Sequence, residues 1–166
     1  MPTSWFFPSI VTEYAEVEEH VSWNNVGNNF TQINKISTTK NLLHIANLLV
    51  NDIKMKTRFL ICTGFNWNNL PQNISGIEVY VGLRRQGRIT DDTIQLYHNQ
   101  SIGDNKATYD LAAVKTYGGE NDLWGLGSIP ASNLDVNFGI ILRYQNHPSF
   151  PHSAAPIMDH VQLRVW

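Results

Sequence analysis

From Ile77 to Arg84 the sequence reads IEVYVGLR and alternates without a break. Ile77, Val79, Val81 and Leu83 fall on one side, and Glu78, Tyr80, Gly82 and Arg84 on the other. A period of two is what a strand with one buried and one wet face requires, and a helix cannot satisfy it. The pattern returns in TIQLYH with Ile94 and Leu96, and in VNFGIILRY with Val136, Phe138, Ile140, Leu142 and Tyr144. It closes the chain in HVQLRVW, where Val161, Leu163 and Val165 point inward and His160, Gln162, Arg164 and Trp166 outward. RFLICTGF, from Arg58 to Phe65, reads as a further strand. Leu42 to Val50 is assigned to a strand as well, although its leucines also suit a helix.

Turn-forming clusters such as NWNNLPQN, RRQGRITDD, HNQSIGDN and YGGENDLWG separate these runs. Charged residues make up only 16% of the chain, against about 25% in ordinary soluble domains. Asparagine, with 18 copies, fills the gap. It is a poor helix former whose amide bonds nearby backbone in turns. Short strands at this spacing predict an all-β sandwich or barrel. In 166 residues there is room for one such domain, over residues 20–166, preceded by an arm over residues 1–19. SIPASNL is expected to form one helical turn with Ser128 as its N-cap and Pro130 in the first turn. Arg84, Arg85 and Arg88 read as a solvated hairpin end.

The arm differs from the rest. Trp5, Phe6 and Phe7 lie between Pro2 and Pro8, and Ile10, Val11 and Tyr14 continue the apolar character into an acidic run. Proline disfavours helix just before it, so the aromatics are expected in extended chain. VTEYAEVEEHV could follow as a short helix. So many large apolar side chains cannot remain in water without inviting association. They either fold back on the domain or dock on a partner. The expectation adopted is the partner, with Trp5, Phe6, Phe7, Ile10, Val11 and Tyr14 as the contact and the domain able to fold without residues 1–12.

Most chemistry is disfavoured by what is missing. The net charge is −2 and no basic stripe exists, which argues against nucleic acid. No apolar run approaches the ~20 residues of a membrane-spanning helix. Cys62 is the single cysteine, set among apolar neighbours, so neither an internal disulfide nor a cysteine zinc site can form. The six histidines lack zinc spacing. Asp91, Asp92, Asp104, Asp122 and Asp135 are too dispersed for a calcium loop, and only an ion shared between loops could use them. No nucleophile elbow, phosphate loop or dinucleotide fingerprint occurs. The expectation is therefore a protein with no catalytic residues, cofactor or metal. Carbohydrate binding remains a rival, since exposed aromatics such as Trp23, Trp67, Trp124 and Trp166 beside many Asn residues suit sugars. Packing is the commoner use of such rings.

The least ordinary stretch is TYGGENDLWGLG, Thr116 to Gly127, with four glycines in twelve residues. It reads as a structural corner made by Tyr117, Gly118, Gly119, Asp122, Leu123, Trp124 and Gly125. Gly118 and Gly119 are expected to reverse the chain, Asp122 to accept loop N–H groups, and Leu123 and Trp124 to plug one end of the core.

Five stretches together resemble a β-sandwich domain that recurs in virion proteins of tailed bacteriophages, particularly those of aquatic and cyanobacterial hosts. They are Thr63-Gly64-Phe65 leading through Pro71 to Ile74–Val81, Gly103 to Ala107, Tyr117 to Gly125, Asn137 to Ile140, and Asp159 to Val165. The resemblance spans about residues 20–166 and leaves the arm outside. It implies a jelly-roll-like antiparallel β-sandwich and a structural role in the virion without catalytic residues. A chain this short, with no coiled coil or collagen-like repeat, suits a capsid cement or decoration protein on the head surface. Its expected partners are the major capsid protein, other virion proteins and further copies of itself. The alternative is a tail component that binds a host-surface glycan or receptor.

Overall fold

A computed structural model describes residues 1–14, 16, 23, 44–45, 56–86, 88–110, 114–147, 149 and 155–166. Nine strands occur among them: β1 (Ile10–Tyr14), β2 (His44–Ile45), β3 (Phe59–Thr63), β4 (Ile77–Gln86), β5 (Ile89–His98), β6 (Ser101–Ile102), β7 (Lys115–Gly118), β8 (Phe138–Asn146) and β9 (Ala155–Val165). They form two sheets, in the orders β1-β3-β8-β5-β6 and β2-β9-β4-β7. Every pairing is antiparallel. The fold is an all-β sandwich, as expected.

The alternating residues supply the core. Ile77, Val79, Val81 and Leu83 of β4 and Val161, Leu163 and Val165 of β9 face Ile94 and Leu96 of β5 and Phe138, Ile140, Leu142 and Tyr144 of β8. All are buried, as inner faces of packed sheets must be. Val136 is the exception among the residues placed inward: it sits in the turn before β8 and is exposed.

Several local expectations are corrected. Arg84 and Arg85 do not precede a hairpin, because β4 and β5 belong to different sheets and the chain crosses between them there. The helical turn of SIPASNL is a 3-10 turn over Ala131–Asn133, capped by the extended Pro130 and not by the Ser128 side chain. VTEYAEVEEHV does not begin a helix, since Ile10–Tyr14 is strand β1. Of the Leu42–Val50 strand, His44–Ile45 is β2; the rest of that stretch lies outside the described residues, as do residues 17–22 of the arm region and most of the loop before β9.

Residues 1–14 are extended and run along the chain's own sandwich. Thr3 and Phe6 donate their N–H groups to Val165 and Leu163 of β9, at 2.8 and 2.7 Å. The segment then crosses to the other sheet, where β1 pairs with β3 from Ile10↔Thr63 to Tyr14↔Phe59. Gly64, at φ +66, makes the crossing possible: a Cβ there would collide with Ser9 and Ile10. The hydroxyl of Ser9 donates to the Gly64 carbonyl at 2.6 Å. The N-terminal segment therefore fastens both sheets together at one side.

Candidate functional site

Three places on the molecule could serve as sites: the glycine-rich corner, the N-terminal segment, and the outer face of the five-stranded sheet.

At the corner, Gly118 ends β7 at φ +74, where an added Cβ would fall on the Ile77 carbonyl oxygen. Gly119 does not share this role. Its φ is not positive and open space surrounds it, so the reversal depends on Gly118 alone. Gly119 instead donates to the Ile77 carbonyl at 3.1 Å and accepts from the Asp122 N–H at 3.2 Å. The Asp122 carboxylate accepts the Trp124 N–H at 2.8 Å. Trp124 is fully buried, and its indole Nε1 donates to the Ile77 carbonyl at 2.9 Å. Leu123 is half-buried against the same core, and Gly125 turns the chain away at φ +75. Tyr117 is buried one step earlier on β7. The stretch Gly103 to Ala107 packs onto this corner: Asp104 donates its N–H to the Trp124 carbonyl at 2.6 Å, and Lys106 lies 3.0 Å from the Asp122 carboxylate. The two most distinctive motifs of the chain thus meet in one structural knot, with their polar atoms used on each other.

In the N-terminal segment, the six expected contact residues divide. Phe6 and Val11 are buried in the chain's own core, Phe6 edge-on to Trp67 at 5.0 Å. They are not available to a partner, which corrects that part of the expectation. Trp5 is held between Tyr80, at 6.0 Å, and the guanidinium of Arg164, 4.4 Å from its ring. Phe7, Ile10 and Tyr14 remain 38, 41 and 55% exposed.

The aspartates do not form a cation site. Asp91 and Asp92 sit at a register shift in β5 and have separate partners. Asp91 accepts from the hydroxyl of Tyr117 at 2.9 Å, and burial, followed by the neighbouring Tyr144 and Asp91, pushes the pKa of that phenol up. Asp92 accepts from Arg143 at 2.6 Å and Lys56 at 2.7 Å. Burial alone would raise its carboxyl, but the two cations outweigh burial and hold it below the usual carboxylate range. Among the described residues, no group of three or more His, Cys, Asp or Glu side chains is arranged to hold a metal ion. Cys62 is buried without exposure, and desolvation pushes its thiol far up.

Of the tryptophans considered for sugars, Trp23 and Trp124 are buried; Trp23 donates its Nε1–H to the Arg58 carbonyl at 2.8 Å. Trp67 is packed against the core. Exposed aromatic surface lies elsewhere. On the outer face of the five-stranded sheet, Tyr14, Phe59, Ile61 and Tyr97 border a cleft of about 310 Å³ together with Ile141 and the polar residues Asn99, Gln100 and Ser101. Phe59, Tyr97 and the three polar residues escape a reading of the sequence, because five strands and one turn bring the lining together. The only local signal is the turn HNQS directly after Tyr97.

Compared with family models, curated proteins and solved structures, the chain has no match.

Proposed function

We propose that this chain is a non-enzymatic structural protein of a bacteriophage virion, a capsid cement or decoration protein seated on the head surface and contacting the major capsid protein. The motif resemblance suggests the class. The observation that carries the contact is the rim of Phe7, Ile10 and Tyr14, 38, 41 and 55% exposed. Among the described residues β1 is the outermost strand of its sheet. Large apolar side chains held in water along a sheet edge mark an interaction surface or an aggregation hazard. Seated at capsomer junctions, the rim removes that surface from water, and repetition over a symmetric shell multiplies weak contacts.

The test is a double substitution, Phe7→Ser with Ile10→Ser, assayed for co-sedimentation with expanded heads. Both side chains are partly exposed, so the variant should fold; it should no longer remain with the heads. Undiminished retention overturns the rim as the contact. The cleft on the adjoining sheet face favours a second reading, a tail component that recognises host-surface glycan. Binding to host cells without binding to heads selects that alternative.

A further inference from the structure

We propose that the cleft on the outer face of the five-stranded sheet binds a short neutral saccharide. This does not depend on the virion assignment. The outward side of a sandwich sheet is ordinarily polar. Here Ile61 and Ile141 are direct cross-strand partners on that side and form an apolar floor. Tyr14 and Phe59, also directly paired, lie nearly parallel, with rings 6.3 Å apart and 17° between planes. They make one continuous aromatic wall.

The opposite wall has the complementary chemistry. Tyr97 pairs with Ser101, and the connection between them carries Asn99 and Gln100. Asn99 sits in the left-handed region at φ +62, and Gln100 accepts the His98 N–H through its backbone at 2.9 Å. The side chains of Asn99, Gln100 and Ser101 make no hydrogen bond with another described residue and are exposed. Two amides and a hydroxyl, each able to donate and accept, therefore face an aromatic and aliphatic trough. A sugar ring matches both walls: its C–H face lies against the negative face of an aromatic ring, and its hydroxyl edge meets the amides.

Charge narrows the ligand. Among the described residues, no carboxylate and no basic side chain lines the cleft. Beside it lies Arg143, whose guanidinium is 4.1 Å from the Phe59 ring. It is already paired with Asp92 at 2.6 Å and Glu16 at 2.7 Å. The site offers little to a sulfated, phosphorylated or carboxylated glycan. Its volume lies near the lower bound of ligand sites, ~300–1,000 Å³, which suits a short saccharide over an extended chain.

The experiment is an amide-resolved NMR titration of the isotope-labelled full chain with neutral oligomers of glucose, galactose, mannose and N-acetylglucosamine, and with sialylated and sulfated oligosaccharides in parallel. Expected is saturable perturbation around Tyr97–Ser101 and Phe59–Ile61 by at least one neutral oligomer. Tyr97→Ala should weaken that binding about tenfold or more. The double variant Asn99→Gly, Gln100→Ala should do the same; it removes both amides while keeping the left-handed turn accessible, so the proposal stays testable if Tyr97→Ala fails to fold. Absence of any neutral binding, binding confined to anionic glycans, or neutral binding that both variants leave intact would each overturn it. So would concentration-dependent shifts at these residues without sugar, since a second copy of the chain would then be the occupant.

Discussion

The indole Nε1 of Trp124 donates to the main-chain carbonyl of Ile77 at 2.9 Å, across 47 residues of sequence. The bond joins the glycine-rich corner to the first residue of β4. The same carbonyl also receives the Gly119 N–H at 3.1 Å. Trp124 holds this position in the left-handed region, at φ 57, a conformation unfavourable for a bulky side chain. Its complete burial must offset that cost. Trp124→Ala should therefore destabilise the fold by about 3–5 kcal/mol, measured as a lowered urea midpoint. A normally stable variant that had lost only a binding activity would return the corner to the list of functional loops.

The N-terminal segment gives a second prediction. Phe6 is buried against Trp67, Val11 of β1 is buried in the core, and Thr3 and Phe6 bond to β9. Removal of residues 1–12 should unfold or strongly destabilise the domain, contrary to what an independent arm would allow. Phe6→Ala alone should cost about 3–5 kcal/mol, whereas Phe7→Ser should change stability by less than about 1 kcal/mol. Thermal melts of the two variants, run side by side, separate the buried ring from its exposed neighbour.

Cys62 supplies a third. Its side chain is buried in β3 and its thiol is held far above the ordinary range by desolvation. The thiolate is the reactive form, so native protein should resist a thiol reagent at neutral pH and react fully in denaturant. Labelling kinetics under native conditions should follow opening of the fold. Rapid stoichiometric labelling of folded protein would contradict this burial.

The strands were legible because a sandwich buries one face of each, and period two then appears in the sequence: Ile77 to Leu83 and Val161 to Val165 are in the core as read. β1 was not legible for the same physical reason. Its outward positions hold Ile10 and Tyr14 while Glu13 is half-buried beside Arg58, at 2.9 Å, so its apolar and polar positions do not alternate cleanly, and Glu13 with the acidic run after it imitates a helix. The corner could be recognised as structural because its special residues are contiguous. The cleft could not be recognised, since Tyr14, Phe59 and Tyr97 are adjacent only through strand register. The Asp91–Asp92 pair gave a turn-like signal because its compensating partners, Tyr117, Lys56 and Arg143, lie 26, 36 and 51 residues away.

That buried pair gives the last prediction. Asp92 is nearly inaccessible and shared by Arg143 and Lys56, which lower its carboxyl in the folded state despite burial. Its unfolded value is about 3.9. The unfolded chain therefore binds a proton here at a higher pH than the folded chain does. Linkage then requires that the stabilisation from Asp92 be complete above about pH 4–5 and be lost as the pH falls through the lower folded value. Asp92→Ala removes one side of a buried pair and leaves Arg143, among the described residues, with the more exposed Glu16 as its carboxylate partner. Breaking such pairs costs about 3–5 kcal/mol; because Lys56 keeps 30% of its side chain in solvent, the lower end is expected. Urea unfolding should thus show a gap of about 3 kcal/mol between the two proteins near neutral pH. The gap should close as both are acidified, because wild type loses what the variant never had. A gap that stays constant down to strong acid would mean that the Asp92 carboxylate charge contributes nothing, and that the variant is weakened only by the cavity it leaves.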